Sequence, residues 1–266
     1  MTKRERLTRE NIVENLVTVL KPLDYVHALY EGGAAAFNRI DRWSDIDLYL
    51  VVDDEKVKDA FLVVENALKL LSPITQKLEM PQLPWPGVSQ AFYKLRNTSE
   101  YLLIDLAVLK MGSLEKFLQP EIHGNVVFYF NKSDKIKIPE FNKIAFSKKL
   151  VERLDRLRSR FNMFNILVQK EINRGNYLEA IDLYHNLTLP ALVEALRIKH
   201  NPLHHDFKTR YIHYELPSET ILKLKRLHFI RDEKDLQRNY HKATEWIQEI
   251  MSEVIEEAAQ RLKTEV

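Results

Sequence analysis

The chain has 266 residues, and an apolar fraction of 45% is enough to bury one large core or two modest ones; two domains are expected. Its 40 basic and 38 acidic residues leave a net charge of only +2, which argues against a protein built to coat nucleic acid or an anionic membrane. The absence of cysteine excludes disulfides and thiolate zinc sites. Met1 to Glu10 is charged rather than apolar, and no run approaches the roughly 18 apolar residues of a membrane span, so a cytoplasmic protein is expected.

Thr8 is placed to cap a helix carrying Ile12, Val13, Leu16, Val17 and Leu20 at helical spacing, stopped by Pro22. A first strand, Tyr25 to Tyr30, runs into Gly32-Gly33, residues that tolerate positive φ and let a backbone approach a ligand. From Ile46 to Val52, apolar residues alternate with Asp47, Tyr49 and Val51, the pattern of a half-buried strand. A helix is expected through Val57, Phe61, Val64, Leu68 and Leu71, then strands around Ile74 to Leu78, Gln90 to Leu95 and Tyr101 to Leu109.

Near Pro139 short alternating runs give way to long helical ones, with polar residues from Asn131 to Lys143 as the connection. Residues 1–138 are expected to form an α+β domain with a mixed sheet, and residues 139–266 an all-α helical bundle. In the second part Leu150, Leu154, Leu157, Phe161, Phe164 and Val168 predict one long helix ending at Asn173-Arg174-Gly175. Tyr177 to Ala195 predicts another, kinked or restarted at Pro190, and Leu236 to Val254 a third.

The chemistry is concentrated in Gly32-Gly33, Ser44-Asp45-Ile46-Asp47-Leu48 and Ile104-Asp105-Leu106. Asp45 and Asp47 are two apart on a strand, so both carboxylates point to one face. Like charges so placed call for a divalent cation, and oxygen ligands suit magnesium, which also binds phosphate oxygens. Asp105 interrupts an otherwise apolar strand, where an ionised carboxylate is costly without a cation. The glycine turn can offer backbone N–H groups to an anion.

Gly32-Gly33, Asp45-Ile46-Asp47 and the later Asp105 resemble the signature of the nucleotidyltransferase superfamily, over about the first 110 residues. With its helical second half, the chain is similar to antibiotic nucleotidyltransferases that modify aminoglycosides or lincosamides. That resemblance implies a five-stranded mixed sheet and two magnesium ions held by Asp45, Asp47 and Asp105. It implies transfer of a nucleoside monophosphate, AMP from ATP, to a hydroxyl of a small acceptor, with release of pyrophosphate. Asp105 would serve the acceptor hydroxyl, and the acceptor would bind between the two domains. Many members carry serine as the second turn residue, contacting phosphate; Gly33 has no hydroxyl, which leaves that contact to backbone, to Ser44 or to nothing. The other reading the sequence allows is a nucleotide-binding regulatory or toxin–antitoxin module without turnover.

Lys148, Lys149, Arg153, Arg156 and Arg160 crowd the start of the first long helix. They read as a solvated face, with phosphate contact, through Lys149 among others, as the functional alternative. His200, His204 and His205 cluster without a cysteine or acidic partner in a zinc pattern. Tyr184, Arg210, Tyr211 and Tyr214 are candidates for a sugar pocket, though aromatics so spaced are more often core. Oligomeric state is left open, a homodimer included.

Overall fold

The computed structural model describes residues 6–264. They fold as two compact units that divide between Phe141 and Asn142. No helix among the described residues is long and apolar enough to cross a membrane.

The first unit is built on a six-stranded sheet: β1 (Val26–Glu31), β2 (Ile46–Val52), β3 (Ile74–Glu79), β4 (Val88–Leu95), β5 (Ile104–Lys110) and β6 (Val127–Asn131). The spatial order is β3-β4-β5-β2-β1-β6. Only β2 and β5 run parallel; every other neighbouring pair is antiparallel. The sheet is therefore mixed, and it carries one strand more than the resemblance implies. The addition, β6, is the run Val127-Phe128-Tyr129-Phe130, whose β-branched and aromatic residues suit a pleated edge beside β1.

Among the described residues, the α-helices of this unit are α1 (Arg9–Leu20), α2 (Gly33–Ala36), α3 (Val57–Leu71) and α4 (Pro120–His123). Thr8 closes a capping box with Asn11, satisfying two orphan amide groups where α1 begins. Ile12 and Leu16 of α1 and Val64 and Leu68 of α3 pack on Leu48, Leu50, Leu106 and Val108, residues of one sheet face. Because strand side chains alternate, Asp47, Tyr49, Asp105 and Ala107 belong to the opposite face. There Tyr30, Val51, Ala107 and Leu109 pack with Leu118 and Ile136 from connecting segments.

The second unit is helical: α5 (Lys143–Phe164), α6 (Ile166–Arg174), α7 (Tyr177–Leu183), α8 (Leu189–His200), α9 (Ile212–Glu215), α10 (Ser218–His228) and α11 (Glu233–Thr264). The long helix expected through Val168 is interrupted at Asn165. The Asn165 carbonyl accepts from the Tyr240 hydroxyl (3.1 Å), and its buried amide bonds Tyr240, Thr244 and Thr188. Pro190, at the start of α8, has no N–H and its ring crowds the carbonyl four residues back. The chain widens there into a π-helical turn, Tyr184–Thr188, in which the Leu189 N–H reaches the Tyr184 carbonyl. Tyr184 itself is fully buried, with its hydroxyl on the Leu227 carbonyl (2.9 Å), so it is core rather than pocket wall.

Arg197 is the largest fully buried side chain among the described residues. It bonds Glu215 at 2.6 Å and the carbonyls of Lys208 and Arg210, and Glu215 also contacts His204 at 2.9 Å. This cation ties α8 to the irregular segment before α10. Arg197→Met leaves Glu215 buried without its guanidinium and should destabilise the second unit by about 3–5 kcal/mol. Denaturant unfolding of the variant, monitored through helical circular dichroism, measures that loss; an unchanged midpoint would show the pair to be dispensable.

Candidate active site

The parallel pairing of β2 with β5 sets the central geometry. Asp47 and Asp105 are direct register partners across that pair, on strands spaced about 4.8 Å apart. Asp45 immediately precedes β2 and shares the parity of Asp47, so three carboxylates gather at the starts of two neighbouring strands.

The glycine turn lies directly against this group. Gly33 has φ +52°, and a Cβ there would fall 1.8 Å from Asp47 Oδ2. At Gly32 a Cβ would come within 2.7 Å of the Tyr49 ring, and the Gly32 N–H donates to the Asp47 carbonyl at 2.9 Å. The turn is thus bare of side chains because Asp47 and Tyr49 fill the space beside it. The Gly32 amide is thus engaged with β2.

Asp105 is held by Gln90, whose Nε2 donates to both carboxylate oxygens at 2.7 and 2.9 Å. Burial pushes the Asp105 carboxyl up to about 7; the Gln90 hydrogen bond pulls the other way, and the charges of Asp47 and Asp45 add to the rise. A further group fixes the strand ends from behind. Glu31, buried at the end of β1, accepts from both Arg9 and the Tyr129 hydroxyl, and Arg9 also donates to the Asp45 carbonyl. The first turn of α1, the end of β1, the edge strand and the backbone of Asp45 are locked together by one half-buried cation–carboxylate pair.

Of the residues expected from sequence, Gly32, Gly33, Asp45, Asp47 and Asp105 come together. Ser44 sits beside them, but its hydroxyl is engaged in a local turn, donating to Asp41 Oδ1 at 3.0 Å and accepting the Asp41 N–H at 2.9 Å. Lys149 lies on α5 of the second unit, with an exposed side chain. Arg9, Glu31, Gln90 and Tyr129 were not singled out from sequence. Glu31 had a signal, a lone charge closing an apolar strand just before the glycines; the other three are single polar residues in ordinary amphipathic patterns.

Among the described residues no group of three or more His, Asp or Glu side chains is arranged to hold a metal ion by itself. Magnesium commonly needs only one or two protein carboxylates, taking waters and substrate phosphate oxygens for the rest. The donor set fits a metal brought with a nucleotide: hard oxygen ligands, like-charge repulsion at Asp105, and a turn packed against Asp47 that has only backbone to offer a ligand.

No family model and none of the curated proteins matches the chain. Among solved structures it is similar to an aminoglycoside 6-adenyltransferase from Bacillus subtilis, with TM-score 0.38, 13% identity, and 95% of this chain and 92% of that one covered. A spectinomycin adenyltransferase from Enterococcus faecialis, solved with ATP and spectinomycin, gives TM-score 0.35 and 10% identity over 93% of this chain and 99% of that one. A nucleotidyltransferase-like protein from Exiguobacterium sibiricum gives 0.39 and 12% over 96% and 78%.

The raised Asp105 pKa makes stability depend on pH in a definite direction. An ordinary aspartate releases its proton near pH 3.9, whereas the folded protein holds this one to about pH 7. Between those values the folded state binds more protons, so stability falls as pH rises through the window. Asp105→Asn removes the loss. In divalent-free buffer its melting temperature should exceed that of the wild type at pH 8, with the gap closing towards pH 4. Scanning calorimetry across that range tests this, and a gap independent of pH would contradict it.

Proposed function

We propose that this protein is a magnesium-dependent nucleotidyltransferase that moves AMP from ATP to a hydroxyl of a small molecule and releases pyrophosphate. The observation that carries the reading is the side-by-side register of Asp47 and Asp105, completed by Asp45 and by a glycine turn that leaves room only for backbone. Asp45 and Asp47 would hold the metal ions, with Asp105 completing the set on the acceptor side. When bound, magnesium supplies charge neutralisation at the phosphates and fixes the reacting oxygens in line.

The protein's own groups supply positioning and a proton acceptor. The acceptor oxygen forms a bond to the α-phosphorus as the bond from that phosphorus to the oxygen bridging to the β-phosphate breaks, and pyrophosphate carries that oxygen away. The acceptor proton goes to Asp105. A carboxyl whose pKa is lifted towards neutrality is suited to that step, because proton acceptors work best with a pKa near the working pH. Gln90 orients both Asp105 oxygens, and the Arg9–Glu31 pair holds the backbone of Asp45, so the carboxylates stay in place against their mutual repulsion. The sequence resemblance supports an acceptor of the aminoglycoside kind. Retention of all three carboxylates speaks for turnover rather than nucleotide binding alone.

The test is magnesium-dependent pyrophosphate release from ATP against a panel of hydroxylated acceptors. Asp45→Asn and Asp47→Asn should abolish transfer, with Asp47→Asn also weakening magnesium–ATP binding. Asp105→Asn should lower the single-turnover rate by about 10² or more while leaving nucleotide affinity nearly unchanged. Wild-type rates in all three variants would refute the assignment.

Gly33→Ala offers an independent check, since its methyl group displaces the Asp47 carboxylate and its φ disfavours a side chain. Transfer should be lost with the circular dichroism spectrum intact.

A further inference from the structure

Two large aromatic side chains stand exposed at the strand ends that carry the aspartates. Trp43, two residues before Asp45, is 50% exposed, and Tyr101, three residues before Ile104, is 54% exposed. Their rings meet edge to face with centroids 4.7 Å apart, and the Arg42 guanidinium lies 4.3 Å from the centre of the Trp43 ring. The two turns are joined where the Ile46 N–H donates to the Leu103 carbonyl at 2.9 Å.

Both turns are also braced from within. Asp41 Oδ1 accepts the Trp43 N–H at 2.8 Å and the Ser44 hydroxyl at 3.0 Å, while Ser99 Oγ accepts the Tyr101 N–H at 3.3 Å. Half-exposed aromatic surface held by hydrogen-bonded turns is preorganised for a flat ligand, since little ordering entropy remains to be lost on binding. The location selects which flat ligand. Two residues of extended chain span at most about 7 Å, comparable to the reach of a ribose between its base and its α-phosphate. A cationic guanidinium on the indole adds a planar surface that stacks on bases and attracts an anionic ligand.

We propose that Arg42, Trp43 and Tyr101 form the nucleobase platform of the site, on which the base of the nucleoside triphosphate stacks while its phosphates lie at Asp45 and Asp47. The inference rests on the proposed nucleotidyltransferase reading. Stacking is tolerant of base identity, so the platform confers affinity for nucleoside over bare phosphate chain rather than choice among bases.

The test compares two probes, magnesium–ATP and magnesium–tripolyphosphate, by calorimetry on the full-length protein. Trp43→Leu and Tyr101→Leu, both at exposed positions, should each weaken ATP binding by about 5- to 150-fold, the range that loss of one base–aromatic stack produces. Tripolyphosphate affinity should stay within about twofold of wild type, and Trp43→Phe should restore most of the ATP affinity. ATP affinity unchanged in both leucine variants, with Asp47→Asn still weakening both probes, overturns the platform and leaves the carboxylate site standing. Equal weakening of both probes by Trp43→Leu also overturns it, since the ring would then be shaping the phosphate site. Failure of wild type to bind magnesium–ATP, or an Asp47→Asn variant that binds both probes normally, overturns the carboxylate reading and the platform with it.

Discussion

The site depends on an enforced like-charge contact. Parallel pairing of β2 with β5 brings Asp47 and Asp105 into register, and Asp45 adds a third carboxylate at the same strand ends. Burial is the main cause that lifts the Asp105 carboxyl to about 7, and the charges of Asp47 and Asp45 add to the rise. A sheet that retained this cost without use would be better served by apolar residues, which fill the neighbouring positions Ile46, Leu48, Ile104 and Leu106. Within the sheet the Gln90 amide offsets part of that cost at Asp105, and a bound cation would offset more.

Maintaining that contact needs support, which centres on a buried carboxylate, Glu31. Arg9, Glu31 and Tyr129 come from the first turn of α1, the end of β1 and the edge strand β6, and together they grip the Asp45 carbonyl. The capping box at Thr8 fixes where α1 begins and so where Arg9 stands. The sixth strand thus does more than cover an edge: its Tyr129 hydroxyl completes the acceptor needs of Glu31. On the other flank, Gln90 of β4 performs the equivalent service for Asp105. Local decisions at a helix cap and two edge-ward strands converge on carboxylate placement.

The helical unit follows the same rule, that irregularities in regular elements coincide with polar groups needing partners. Asn165 interrupts the α5–α6 helix where its side chain and carbonyl are both bonded to Tyr240, and the π turn before Pro190 accommodates a residue without an N–H. Arg197, wholly buried, is satisfied by one carboxylate and two carbonyls rather than left as a costly isolated charge.

Much of this was legible in the chain itself. Periodicity of two and of 3.6 located the helix through Ile12 and Leu16, the strand through Asp47, the helix through Val64 and the strands flanking Asp105, because burial on one face imprints its period on the residues that make it. The parity of Asp45 and Asp47 placed them on one face for the same reason. Strand pairing left no such imprint: that β5 lies parallel to β2, with Asp105 opposite Asp47 rather than two residues away, is a long-range choice that no local pattern encodes. The sixth strand, the break at Asn165 and the engagement of the Ser44 hydroxyl with Asp41 are likewise settled by partners distant in sequence or by competing local hydrogen bonds. Sequence alone determined which residues the proposed chemistry rests on and which face they occupy. Tertiary structure decided which of them meet, because register, the Gly33–Asp47 contact and the Arg9–Glu31 pair exist only once remote segments have packed.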